Sequence, residues 1–261
     1  MQSVQATALG LSVEKIRAHL QNLSLPVFLF DEISSTSDAA REYAKKKRGE
    51  AAVFIAERQT AGRGRRGRSF ASPAGSGVYM SLLVYPTHAA DGGVLLTTGA
   101  AVAMCRAVEG ASGVCPEIKW VNDLRIGKKK LAGILTEGEI DPESGAFSYA
   151  VIGAGINVTA VPEEVRDIAT ALDLQADAPT DRNLLCAKMI EEILKSLTED
   201  RTAQMREYRK KCPIAGKHVT VLRGEERFDA IVLAIEEDGS LRIQKGSEQM
   251  LLSSGEISIR E

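Results

Sequence analysis

The chain has 261 residues, with 33 Lys and Arg against 35 Asp and Glu, a net charge of −2 and 44% hydrophobic residues. These values exclude a disordered, collagen-like or disulfide-scaffold chain, and they argue against a surface that grips nucleic acid along its whole extent. The length suits one large domain and a small one, or two medium ones.

Ser12 caps a short amphipathic helix with Val13, Ile16, Leu20 and Leu23 on one stripe. This helix is too small to be a DNA-reading domain by itself. Val27–Phe30 reads as a strand. The hydroxyl cluster Ser34-Ser35-Thr36-Ser37 with Asp38 is placed to cap a helix over Asp38–Lys47. Ala51–Glu57 is a strand. Residues 62–68 then read Gly-Arg-Gly-Arg-Arg-Gly-Arg, a loop by its glycines.

Val78–Tyr85 is a buried type of strand, and Asp91 is placed to cap a long helix reaching Glu109. Glu117–Trp120 is a short strand, followed by a polar turn at Val121-Asn122-Asp123. Lys130–Glu139 and Phe147–Ile156 form two strands joined by the turn signal Asp141-Pro-Glu-Ser-Gly145. Asp181 caps a helix whose apolar face carries Cys186, Met189, Ile190, Ile193, Leu194 and Leu197. A charged helix over Glu199–Lys210 follows.

After Pro213 the texture changes. Val219–Leu222, Arg227–Ile235, Leu241–Gln244, Gln249–Leu252 and Ile257–Arg260 are short strands separated by Arg223-Gly224-Glu225, Asp238-Gly239 and Lys245-Gly246. They predict a small β-barrel, with a domain boundary near Pro213–Gly216. No repeat or low-complexity tract interrupts the chain.

Cys105, Cys115, Cys186 and Cys212 show no zinc or redox spacing, so they read as buried thiols of a cytoplasmic protein. His19, His88 and His218 show no ligand spacing either. The charge-free run Ser69–Ala90 is broken by Pro73, Gly75, Gly77 and Pro86, so no membrane span is expected there, and the N-terminus lacks a signal-peptide pattern.

Three segments carry chemistry. The Arg/Gly loop combines backbone that can approach a ligand with guanidinium forks that bind carboxylate or phosphate. It suits an anionic small molecule; a solvated basic loop or an RNA-binding tract has the same composition. Lys119-Trp120-Val121-Asn122-Asp123, with Lys130-Leu-Ala-Gly133-Ile-Leu135 beyond it, reads as a site built after a strand or as a charged hairpin tip. Gly153-Ala-Gly155-Ile-Asn157 allows close backbone approach or tight core packing.

Taken in order, Ser35-Thr36-Ser37, Gln59-Thr-Ala-Gly62-Arg-Gly-Arg-Arg-Gly-Arg68, Lys119–Asp123, Lys130–Leu135 and Gly153–Asn157 resemble the biotin–protein ligase family. So does the tail Gly255-Glu-Ile-Ser-Ile-Arg260. The resemblance runs from about Phe28 to the end of the sequence. About 25 residues precede it, similar to the monofunctional class that lacks an N-terminal DNA-binding domain.

The resemblance implies an α+β fold: a mixed β-sheet flanked by helices, class II synthetase-like, over residues 1–213, and an SH3-like β-barrel over 214–261. It implies ATP-dependent ligation of biotin to a lysine of a biotin carboxyl carrier protein through biotinyl-5′-AMP, with Mg²⁺. Ser35, Thr36, Ser37, Gln59, Gly62, Arg63, Gly64, Arg65, Lys130 and Gly133 would hold biotin. Arg65, Arg68, Phe70, Lys119, Asn122, Asp123, Lys130 and Asn157 would hold the nucleotide. Lys130, Arg65, Arg63 and Asp123 would carry the catalysis, and the metal ligands are not specified.

Ser37 stands where the family usually has Asn, Phe70 where it often has Trp, and Val121 where it has Pro. The last implies a slightly freer turn. A monomer or homodimer without DNA or membrane partners is expected. A lipoate–protein ligase, a binder of biotin without catalysis and a nucleic-acid-binding module are the alternative readings.

Overall fold

A computed structural model describes residues 2–20, 24–86, 92–143, 146–223, 225–253 and 256–259. The expectations placed on Leu23, His88, Asp91, Ser144, Gly145, Gly224, Gly255 and Arg260 lie outside the described residues.

Helix α1 (Val13–His19) is capped by Ser12, whose hydroxyl accepts from the Lys15 amide, and it buries Val13 and Ile16. Strand β1 (Val27–Ile33), helix α2 (Thr36–Lys46) and strand β2 (Ala52–Gln59) form a unit whose two strands pair in parallel. Strand β3 (Gly77–Val84) then pairs antiparallel with β2. Helix α3 (Gly93–Ser112) leads to β4 (Glu117–Lys119), β5 (Asp123–Ile126), β6 (Lys129–Ile140) and β7 (Phe147–Asn157). The seven strands form one mixed sheet in the order β1-β2-β3-β7-β6-β5-β4.

Every residue of β3 is buried, which is why its sequence reads as a continuous apolar run and not an alternating one. Helix α3 packs against the sheet, and α4 (Arg182–Ser196) packs on α3 with Leu185, Cys186, Met189, Ile190 and Ile193 fully buried. Helix α3 is long and apolar enough to cross a membrane by length and composition, but 67% of its most apolar window is buried inside this chain. A smaller cluster joins α2 to β1 and β2, where Phe28 stacks on Phe54 at 5.1 Å between ring centroids.

Helix α5 (Arg201–Lys211) precedes a five-stranded antiparallel sheet of β8 (His218–Arg223), β9 (Glu226–Ile235), β10 (Leu241–Lys245), β11 (Glu248–Leu252) and β12 (Glu256–Ile259). Within the described residues each of the five overlaps its expected strand. The sheet docks through the Asp238-Gly239 turn. Trp120 Nε1 donates to the Gly239 carbonyl at 2.9 Å, and Arg209 Nε donates to the Ile235 carbonyl at 2.8 Å.

Two expectations change. Helix α2 begins at Thr36, not Asp38, and the side chain of its N-cap Ser35 makes no capping hydrogen bond. The neighbouring hydroxyls are engaged elsewhere, as described below. Cys105, Cys186 and Cys212 are buried, but Cys115 is exposed. Burial pushes the three buried thiols up to about 12.

Candidate functional site

The site lies in a trough that the sheet's own register creates. Tyr79, Gly155, Gly133 and Asp123 pair across β3, β7, β6 and β5 as one row. Two side chains are missing at its centre. A Cβ on Gly155 would stand 2.7 Å from the Phe70 ring, and one on Gly133 would stand 3.1 Å from Lys130 Nζ. The neighbouring row is Ser81, Gly153 and Leu135. There a Cβ on Gly153 would stand 3.0 Å from Ser37 Oγ. The glycines therefore let an aromatic ring, an ammonium and a hydroxyl lie against bare backbone.

Lys130 reaches this face through a β-bulge. The register between β5 and β6 shifts by one, from Leu124 opposite Ala132 to Arg125 opposite Lys130, leaving Leu131 as the extra residue. A bulge re-aims the side chains beside it. Lys130 Nζ thereby donates to Asp123 Oδ1 at 2.8 Å and stands 5.8 Å from the centroid of the Phe70 ring.

The Arg/Gly loop folds as a hairpin. The Phe70 amide donates to the Gly62 carbonyl at 2.9 Å, and the Gly64 amide donates to the Arg68 carbonyl at 2.7 Å. A short 3₁₀ turn over Arg65–Gly67 forms its tip, with Arg66 in the left-handed region at φ 58°. Arg65 turns back to the sheet, donating to Asn122 Oδ1 at 3.0 Å. Asn122 in turn donates to the Ile134 carbonyl at 2.8 Å.

Two adjoining clefts result. The first, about 470 Å³, runs from Thr36 and Ser37 past Ser81, Gly153 and Leu135 to Arg63, Arg65 and Lys130. The second, about 650 Å³, is lined by Arg65, Arg66, Arg68, Lys119, Asp123 and Ile257, among others. Gly64, Arg65, Phe70, Asn122 and Lys130 line both. One end is closed by hydroxyls, the other is cationic, and the junction holds a lysine and an arginine.

At the closed end Thr36 Oγ1 lies 2.8 Å from Ser81 Oγ, and Ser37 Oγ lies 3.0 Å from the same atom. Gln59 Oε1 accepts from the Thr36 amide at 2.9 Å and from its hydroxyl at 3.1 Å, while Gln59 Nε2 donates to Ser72. Gln59 thus braces the hydroxyl cluster. Gly62 packs beside it: a Cβ there would stand 2.4 Å from the Phe70 carbonyl oxygen.

The expected residues do not all meet. Thr36, Ser37, Gln59, Arg63, Gly64, Arg65, Lys130 and Gly133 line the first cleft; Arg65, Arg68, Phe70, Lys119, Asn122, Asp123 and Lys130 line the second. Ser35 is buried at the start of α2 and Gly62 lies behind the loop, neither lining a cleft. Asn157 also stands outside them, its amide donating to the Thr170 carbonyl at 3.1 Å. Thr170 donates its own amide to the Lys130 carbonyl at 2.8 Å, so Asn157 bears on the site through the backbone of Lys130.

The turn at Val121 is held and not free. Val121 is buried, and its carbonyl accepts from Tyr208 Oη at 3.0 Å. Ser81 was not legible in the sequence. The one signal was a hydroxyl inside an apolar strand, which is common in cores without function.

Against this geometry the comparisons with known proteins are direct. Residues 29–157 match the biotin/lipoate A/B protein ligase family, and residues 214–260 match the biotin protein ligase C-terminal domain. The chain belongs to the biotin protein ligase family. It is 34% identical over 217 residues to the biotin–[acetyl-CoA-carboxylase] ligase of Mycobacterium tuberculosis, covering 78% of this chain and 77% of that protein. It is 39% identical over 189 residues to the bifunctional ligase/repressor BirA of Bacillus subtilis, covering 71% of this chain. The matched part is 54% of that relative, so the chain spans about half its length. Among solved structures, a biotin protein ligase from Aquifex aeolicus in complex with biotin and ATP superposes with a TM-score of 0.73 at 26% identity. That match covers 90% of this chain and 98% of the other.

Proposed function

We propose that this chain activates biotin with ATP and transfers it to a lysine of a biotin carboxyl carrier protein. The observation that carries the reading is the junction, where Lys130 and Arg65 stand on the wall shared by a hydroxyl-ended cleft and a cationic one.

The ureido group of biotin has one acceptor and two donors, which hydroxyls on Thr36, Ser37 and Ser81 match in number and kind. Met80, Ile134, Leu135 and Ala154 supply an apolar wall for the rest of the molecule. The carboxylate then points to Lys130 and Arg65. The nucleotide lies in the second cleft, with Arg68 and Lys119 on its phosphates and Phe70 as the aromatic surface.

In the first step a carboxylate oxygen forms a bond to the α-phosphorus while the bond to pyrophosphate breaks. Two anions must approach, so fixed cations at the point of contact lower the barrier. Lys130 and Arg65 do this, oriented by Asp123 and Asn122. In the second step a neutral lysine amine attacks the acyl carbon, AMP leaves with the bridging oxygen, and the amine's proton passes to solvent. Magnesium is commonly held by one or two carboxylates and substrate phosphates. Asp123 is the carboxylate that lines the second cleft, and no cluster of three acidic, His or Cys ligands occurs among the described residues. Asp123 would therefore anchor a magnesium ion that arrives with ATP and supplies further charge neutralisation.

We assign residues 1–213 to this ligase unit and 214–261 to a C-terminal domain, in a cytoplasmic protein. The test mixes the protein with ATP, Mg²⁺, labelled biotin and a biotin carboxyl carrier domain. Label on the carrier lysine is expected; transfer of lipoate in place of biotin, or no transfer, would overturn the reading.

A further inference from the structure

The rim of the first cleft carries a closed ring of four charges. Arg41 of α2 donates to Glu137 Oε2 of β6 at 2.8 Å and pairs with Asp38 one turn earlier. Arg63 of the loop pairs with the same Asp38 oxygen, and its other terminal nitrogen lies 3.8 Å from Glu137 Oε1. Each arginine thus faces both carboxylates. Arg41, Asp38 and Glu137 all belong to regular elements; Arg63 alone is on the loop.

Arg63 lines the first cleft, yet its guanidinium is turned to the rim and not to the junction that Arg65 and Lys130 occupy. We infer that Asp38 and Glu137, bridged by Arg41, form a dock for Arg63 that fixes the Arg/Gly loop over the cleft. Asp38 and Glu137 are positioning residues, and Arg63 is the loop's latch.

Placement supports this. Asp38 directly follows Ser37, and Glu137 lies two residues beyond Leu135, so the dock is built on the two elements that wall the hydroxyl end. Arg41 keeps the two carboxylates together where they would otherwise repel. The loop is tied at its tip by Arg65 to Asn122 and at its base by Arg63 to the dock. Resting on the ligase reading, the dock then has a chemical consequence. With the loop held, a mixed anhydride in the trough is shielded from water.

The experiment uses trypsin, because the loop's own arginines are its cleavage sites. Cleavage within residues 62–68 is followed by mass spectrometry on the full chain, for wild type, D38N/E137Q and the control Glu139→Gln. In low salt the double variant is expected to be cut in the loop about tenfold faster than wild type, since a locally opened segment is the cleaved species. The control should behave as wild type. An unchanged loop-cleavage rate in a folded double variant overturns the dock.

If that variant melts early, wild type in rising salt decides. The screening length falls from about 10 Å at 0.1 M salt to about 3 Å at 1 M, below the 3.8 Å between Arg63 and Glu137, so molar salt weakens these partly exposed pairs. Loop cleavage should therefore accelerate relative to cleavage elsewhere, and a salt-independent ratio overturns the dock. A second readout is AMP released without carrier per biotin transferred with it, expected to rise several-fold in D38N/E137Q. Loop opening without ligase activity in any of the proteins would leave the dock standing and remove the function proposed above.

Discussion

Lys130 Nζ donates to Asp123 Oδ1 at 2.8 Å across the β5–β6 hairpin, which makes Asp123 the brace of the ammonium at the cleft junction. The ion pair is partly exposed, so its worth is orientation more than stability. Lys130→Ala is expected to lower kcat for biotin transfer by about 10²–10³, the range for losing one preorganised charge partner. Asp123→Asn should lower kcat less and leave biotin binding nearly intact. Steady-state transfer kinetics with separate biotin titration check both.

Phe70 depends on the absence of a side chain at 155. A Cβ there would fall 2.7 Å from the ring, inside any normal contact distance. Gly155→Ala should displace the ring and raise KM for ATP about tenfold, within the roughly 1–3 kcal/mol that overpacking costs. The effect acts through one contact, so Gly155→Ala added to Phe70→Ala should cost little more than Phe70→Ala alone. A double-mutant cycle on KM measures this; simple additivity would count against it.

Stability should report on Glu57, two residues before Gln59 on β2. Its carboxylate is buried and pairs with Arg182 Nη1 at 2.7 Å, accepts from Thr7 Oγ1 at 2.6 Å, and accepts from the Leu11 amide. Burial opposes its ionisation, but Arg182 and these donors prevail and hold the carboxyl below its ordinary value. The folded pKa is depressed, so the contribution is present above the unfolded value of about 4.3 and is lost as pH falls through the folded value. Arg182→Ala leaves the buried charge unpaired and should cost about 3–5 kcal/mol at neutral pH. Denaturant midpoints from pH 7 down to pH 3 test both: the variant's deficit should shrink as the carboxyl protonates.

Thiol labelling separates Cys115 from the rest. In the native protein a thiol reagent should modify Cys115 first, while Cys105, Cys186 and Cys212 react only on unfolding, because burial raises their pKa and blocks access. Rapid labelling of more than one thiol in the folded protein would contradict the packing described.

The sequence carried much of the fold because punctuation and periodicity agreed. Asp238-Gly239, Lys245-Gly246 and the Asp181 cap each end or begin an element where they were expected to. The chemistry-bearing segments were legible only as an ordered set, through their resemblance to the biotin–protein ligase family; singly, each also fitted a loop, a hairpin tip or core packing.

What stayed hidden came from pairing. The bulge at Leu131 that re-aims Lys130 depends on register, which a single strand does not reveal. Thr36 and Ser37 read as caps because local hydrogen bonds are the usual use of hydroxyls at a helix start; Ser81, 44 and 45 residues further along the chain, turns them inward. Asp38 read as part of a helix start and nothing singled out Arg41 or Glu137; the pairing of the sheet set all three beside Arg63.

In the function proposed, biotin's carboxylate meets ATP's α-phosphate between Lys130 and Arg65. Exchange of labelled pyrophosphate into ATP isolates that step from the carrier. Exchange is expected to require biotin and Mg²⁺ and to fall by about 10² or more in Lys130→Ala. Exchange that proceeds without biotin, or that Lys130→Ala leaves unchanged, would contradict it.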